Sequence, residues 1–139
     1  MGKSVKDVMT SNPQTIESSE PVMRAAELMK REDVGIAPVV EGGRLVGTIT
    51  DRDIVVRVVA EGKDARQVVA REVASTALVT VDPQQDLDEA LRLMARHQVR
   101  RLPVVEEDGR LVGVVAQADV AEEAKPKKVG ELVEEISKD

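Results

Sequence analysis

The stretch that decides the fold is written twice, as GRLVGTITDRD at 43–53 and GRLVGVVAQAD at 109–119. GRLVG recurs unchanged and an aspartate closes both copies, but the hydroxyl of Thr50 gives way to the methyl of Ala116. Upstream the match continues at a shift of 65. Thr15 falls on Thr80, Leu28 on Leu93, Met29 on Met94, Pro38 on Pro103, and Val39, Val40 and Glu41 on Val104, Val105 and Glu106. One additional residue in EEDG relative to EGG moves the shift to 66, an insertion of the kind a surface turn absorbs.

Each copy carries the same order of signals. A short extended piece (QTI; LVTV) leads into a helix whose apolar residues recur at amphipathic spacing, Val22, Ala25, Ala26 and Met29 in one copy and Leu87, Ala90, Leu91 and Met94 in the other. An apolar run (IAPVV; LPVV), a turn, a second apolar run and another helix near DRDIVV or QADVAE follow. The unit is therefore β-α-β-β-α, and the fold class mixed α+β. Proline in the first run belongs at a strand start or edge, because it has no N–H to give a ladder. The expected organisation is a first unit over 5–60, a linker helix over 61–74, a second unit over 75–124 and a charged tail over 125–139 that forms a short helix after Pro126. The linker's ARQVVAREV resembles SVKDVM ahead of the first copy.

Composition narrows the chemistry. With 139 residues and 42% hydrophobic content the chain can build a core, and 26 acidic against 20 basic side chains make nucleic acid an unlikely partner. Cysteine is absent and His97 is the one histidine, which leaves no thiolate metal site, no histidine cluster and no evident acid–base dyad. An enzyme is the weakest reading. MGKSVKDVM lacks the apolar core of a signal peptide, Lys6 stands where a myristoylation pattern needs Ser or Thr, and no run approaches a membrane span. A soluble cytoplasmic protein is expected. Aromatic content is zero, so aliphatic side chains must fill the core, and a bound base would rest against aliphatic rather than aromatic groups.

The paired units, with h-x-P-V-V, G-R-L-V-G and T-x-x-D in this order, resemble a tandem pair of cystathionine-β-synthase (CBS) domains, the Bateman module, and in particular the stand-alone bacterial proteins of that family. The resemblance runs from about Val5 to Ala124. It implies two units packed about a pseudo-twofold axis, with clefts between them that hold adenosine-containing ligands in many relatives.

TITDRD also has a plain structural meaning. A threonine followed three residues later by an acid, just before an apolar helix, is a capping-box signature. Both roles are compatible. A carboxylate accepts from neighbouring ribose hydroxyls with its two oxygens, which makes Asp53 and Asp119 the sugar candidates. By resemblance Thr50 lies near sugar and phosphate, and the second copy has only Ala116 there. Arg100 and Arg101 stand where relatives place phosphate-contacting basic residues, while Gly35 and Ile36 occupy the matching positions of the first copy. The complementary asymmetry suggests one composite site, with Thr50 and Asp53 for the sugar and Arg100 or Arg101 for phosphate. Arg52, in the first turn of the following helix, reads equally as a phosphate contact or as a surface salt bridge, and the base is expected against Ile16, Val34, Gly35, Ile36, Ala37 and the Ile49 region. His97 is better read as a cation at a helix C-terminus, and Glu106, Glu107 and Asp108 as a solvated turn.

The leading expectation is a regulatory binder of AMP, ADP or ATP, with no required cofactor and no metal. A ligand-free dimerisation scaffold is the alternative from another class. Other adenosyl ligands, an NAD-type dinucleotide or S-adenosylmethionine, stay open, as does a cyclic dinucleotide. A homodimer is expected from the apolar faces Val5, Val8, Met9 and Val68, Val69, Val73.

Overall fold

The computed structural model describes residues 3–123. From the N-terminus the elements are α1 (Val5–Val8), β1 (Thr10–Ser11), β2 (Ile16–Glu17), α2 (Val22–Glu32), β3 (Ile36–Glu41), β4 (Arg44–Thr50) and α3 (Asp51–Ile54), which runs on into a π-helical turn (Val55–Val59). After α4 (Ala70–Val73) come α5 (Leu87–His97), β5 (Arg101–Val105), β6 (Leu111–Ala116) and α6 (Gln117–Glu123). The fold is α+β. The expected tail helix lies outside the described residues, as does Ala124.

Strand registers carry the sequence repeat into three dimensions. In the first copy Ile16 pairs in parallel with Val39, and Ile36 pairs in antiparallel fashion with Thr50. In the second, Val81 forms a parallel bridge to Val104 and Arg101 pairs with Ala116. Each hairpin shifts register at the same place, Val39/Val40 and Val104/Val105. The two copies differ at the lead strand. LVTV contributes only the Val81 bridge, with Val81 N–H donating to the Pro103 carbonyl and Val105 N–H to that of Val81. Pro103 offers its carbonyl to this edge, where the lead segment pairs only at Val81, so the missing N–H falls beside an edge with little ladder to complete.

Turn chemistry accounts for the insertion. Gly42 and Gly43 both have positive φ, which closes β3 and β4 with a two-residue connection. In EEDG only Gly109 does so; its N–H donates to the Glu106 carbonyl, and Asp108 Oδ1 accepts from the Arg110 N–H. The acidic cluster is this solvated turn.

Residues 14–78 form one compact unit, and residues 3–13 with 79–123 form the other. The division crosses the repeat boundary because the two related lead segments are exchanged. Ser4 bridges Asp86, and Thr10 and Ser11 pair with Val114 and Gly113, so 4–11 completes the second repeat. Val69 bridges Pro21 and Ser75 bridges Thr48, so 69–75 completes the first. Hydrogen bonds fasten the segments at equivalent points, with Val5 N–H donating to the Gln85 carbonyl and Ala70 N–H to that of Glu20. At the outer end Lys3 Nζ meets Glu123 Oε2 at 2.9 Å, a hydrogen bond that raises the lysine pKa, helped by the glutamate's charge.

This exchange corrects the reasoning for the apolar faces. Val5 is buried in the second repeat's core with Leu91, Met94 and Leu102, while Val68, Ala70 and Val73 are buried with Val22, Val39 and Ile49. Val8, Met9 and Val69 are half-buried. These faces are thus spent on intramolecular cores, at about 1.5–3 kcal/mol for each fully buried large aliphatic side chain. The linker helix is also shorter than expected, spanning only Ala70–Val73. In α2, Leu28 is buried, whereas Ala26 is half-buried.

The exchange explains the second glycine of GRLVG. A Cβ on Gly47 would lie 2.9 Å from Ala74 Cβ and 3.0 Å from the Ser75 carbonyl oxygen. On Gly113 it would lie 2.6 Å from Met9 Sδ and 2.9 Å from the Thr10 carbonyl oxygen. Gly47→Ala and Gly113→Ala should each destabilise by about 1–3 kcal/mol, read from urea unfolding midpoints. Wild-type midpoints for both would mean that the segments do not lie against these sheets.

Candidate functional site

Thr50 ends β4 and begins α3, so its side chain decides how the strand turns into the helix. Asp53 N–H donates to Thr50 Oγ1 at 3.1 Å, and Thr50 N–H donates to Asp53 Oδ2 at 2.9 Å. This is the reciprocal capping box, and Asp53 is half-buried within it. Asp53 Oδ1 makes no hydrogen bond among the described residues. Ile36 stands opposite Thr50, and Asp51 N–H donates to the Gly35 carbonyl at 3.0 Å, which brings Gly35, Ile36, Thr50 and Asp53 to one end of one sheet. Gly35 leaves room for Asp51, since a Cβ there would lie 3.1 Å from Asp51 Oδ2. Arg52 is exposed, and its guanidinium has no partner among the described residues.

The intended lining of the base divides into two sets. Ile16, Ala37 and Ile49 are 3%, 0% and 0% exposed and belong to the core. Val34, Gly35 and Ile36 are half-buried at the sheet end. A separate groove of about 300 Å³ lies along α2, lined by 14–16 and by Arg24, Glu27, Leu28 and Arg31. Of the candidates it includes only Ile16, and its arginines are paired with Glu20, Glu27 and Glu32.

The second repeat has the same backbone and different side chains. Arg101 stands opposite Ala116, and Gln117 N–H donates to the Arg100 carbonyl at 2.7 Å. Arg100, Arg101 and Asp119 are exposed, and their side chains have no hydrogen-bond or ion-pair partner among the described residues. Losing the Thr50 hydroxyl thus changes what the acid does. Asp53 spends one oxygen on the cap, whereas Asp119 makes no hydrogen bond with either oxygen among the described residues. His97 is exposed in the last turn of α5. Gln117 is not among the sequence candidates, because nothing in QAD marks it.

Among the described residues no group of three or more His, Cys, Asp or Glu is arranged to hold a metal ion. No helix of the described residues is long and apolar enough to cross a membrane.

A family model for the CBS domain matches twice, over residues 5–60 and 70–125. The CBS domain-containing protein YhcV of Bacillus subtilis is 48% identical over 118 residues, 85% of this chain and 83% of its own. Three solved structures share the fold. Hypoxic Response Protein I with two coordinated zinc ions has a TM-score of 0.79 at 36% identity, covering 88% of this chain and 100% of its own. CBSX2 in complex with AMP has a TM-score of 0.74 at 28% identity, covering 87% and 95%. The CBS pair of MJ0100 with 5′-methylthioadenosine and S-adenosylmethionine has 0.74 at 27%, covering 88% and 95%.

The cap is testable in both directions. Thr50→Ala should lower stability by about 1 kcal/mol, and Ala116→Thr, by giving Asp119 a reciprocal partner, should raise it by about 0.5–1 kcal/mol in urea unfolding. A stabilised Thr50→Ala would contradict the box.

Proposed function

The chain belongs to the CBS-domain family as a tandem pair, and we propose that it is a cytoplasmic regulatory module that binds an adenine nucleotide of the AMP, ADP or ATP type. The observation that carries this reading is a set of uncommitted polar groups at equivalent sheet ends: Asp53 Oδ1 in one repeat, and Arg100, Arg101 and Asp119 in the other. Unpaired arginines in an acidic chain are matched to a phosphate, which a guanidinium can hold through two hydrogen bonds. A carboxylate oxygen is matched to ribose hydroxyls. In the first repeat Thr50 and Asp53 are matched to a sugar, with Arg52 available to a phosphate, and in the second Arg100 and Arg101 are matched to a phosphate. The base rests against Ile36 and Gly35, with the backbone of Ala37 at its edge and Ile16 behind them in the core. CBSX2 with AMP supports a nucleotide; MJ0100 with 5′-methylthioadenosine and S-adenosylmethionine supports the wider adenosyl class.

Binding acts through a shift of population between arrangements that hold the ligand unequally well. The protein works as a homodimer in this reading. The support is a stripe on the π-helical turn, where Val55, Val56 and Val59 are 57%, 47% and 66% exposed. The second reading, a ligand-free scaffold, draws on one specific observation: the mutual Thr50–Asp53 cap gives both side chains a sufficient structural role.

Calorimetric titration of the full chain with AMP and adenosine separates the two. Asp53→Ala should weaken AMP about 10- to 100-fold, the worth of charge-assisted hydrogen bonds of roughly 1.5–3 kcal/mol. Arg101→Ala should weaken AMP more than adenosine, and Asp119→Ala should matter less than Asp53→Ala to the tighter event. Loss of the tight event on Asp119→Ala alone would transfer the sugar role to the second repeat. Absence of any adenosyl binding by the wild-type chain would leave the scaffold.

A further inference from the structure

Gln117 begins α6 at the position where Asp51 begins α3. Their backbones do the same thing, each N–H donating to a carbonyl in the bend before the facing strand, Arg100 in one repeat and Gly35 in the other. Their side chains do not. Asp51 is exposed and its Oδ1 accepts from the Arg52 N–H at 2.8 Å. Gln117 is half-buried, and its Nε2 is buried without a hydrogen-bond partner, the one such side-chain atom among the described residues. Native proteins rarely leave a buried amide unpaired, because the group has lost its water and gained nothing in return.

The surroundings indicate what the amide is kept for. Arg101 pairs in register with Ala116, the residue before Gln117, and the Arg100 carbonyl takes the Gln117 N–H. Two unpartnered guanidinium groups and an unpartnered amide N–H₂ are therefore carried by adjoining residues of a single repeat. All are donors. The hydroxyl that Thr50 carries in the first repeat is missing at Ala116, and the neighbouring glutamine brings a longer polar side chain to the same strand end. Its terminal torsion is soft, so the amide plane can turn toward the exposed side of the residue at little cost.

We propose that Gln117 is a specificity-determining residue of the second repeat, donating from Nε2 to the anionic group of a phosphate-bearing adenosyl ligand beside Arg100 and Arg101. The proposal rests on the adenosyl-binding reading. It deepens that reading by giving the second repeat its own anion contact in place of the lost threonine. The chain then discriminates by phosphate in the second repeat and by sugar in the first.

The test uses the full chain, AMP and adenosine, with melting curves beside calorimetric titration. Gln117→Leu fills the same space without polar atoms and should melt at or above the wild-type temperature while binding AMP about tenfold more weakly. Gln117→Glu exchanges donors for a negative charge and should weaken AMP further, with adenosine nearly unaffected by either change. If Gln117→Leu fails to fold, Gln117→Glu carries the test. Wild-type AMP binding retained in the folded variants overturns the role of Gln117 and leaves the adenosyl reading standing. A wild-type chain that binds neither compound overturns both, and that result is read before any variant is made.

Discussion

Each repeat depends on the close approach of a short borrowed segment to a glycine in its last strand. Gly47 accepts Ala74 and Ser75, and Gly113 accepts Met9 and Thr10, at separations that leave no space for a methyl group. The contact does more than extend a sheet. It brings Val5 into one aliphatic core and Ala70 and Val73 into the other, in a chain with no aromatic side chain to fill them. Without aromatics, core volume has to come from many small pieces, and segments remote in sequence supply some of them.

The same contact sets the candidate site in the first repeat. Ser75 and Thr48 exchange backbone hydrogen bonds at 2.8 and 3.0 Å, two residues before the Thr50 cap. Beyond the cap, Arg57 Nη1 donates to the Val73 carbonyl at 2.8 Å, so the helix is tied to the borrowed segment as well. Thr50 and Asp53 thus sit at a junction held on both sides. The π-helical turn follows directly, with Ala60 N–H donating to the Val55 carbonyl at 2.8 Å, and leaves three valines outward. Such turns are frequent at functional sites.

Much of this was legible in the residues. The shift of 65, and of 66 beyond the turn, identified which residues are equivalent, and the strand registers, the bulges and the left-handed helix ends at Asp33 and Gln98 all obey it. The capping box was readable because its chemistry is local, involving residues three apart. The exchange was not readable. SVKDVM and VAREVA present the same apolar spacing, and Pro21–Gly47 and Asp86–Gly113 offer them equivalent docking positions, so nothing local states which segment serves which repeat. For the same reason the apolar face of SVKDVM read as an interface when it is core. Gln117 was invisible because an unpaired amide is a property of its surroundings and leaves no pattern in the chain.

What unites the cap, the free acid and the unpaired donors is a chain whose two repeats keep one backbone and divide the polar work between them. Native mass spectrometry of the full chain titrated with AMP tests this most directly. The expected spectrum is a dimer mass to which AMP adds stoichiometrically. A chain that stays at its bare mass through millimolar AMP, 5′-methylthioadenosine and S-adenosylmethionine would contradict it.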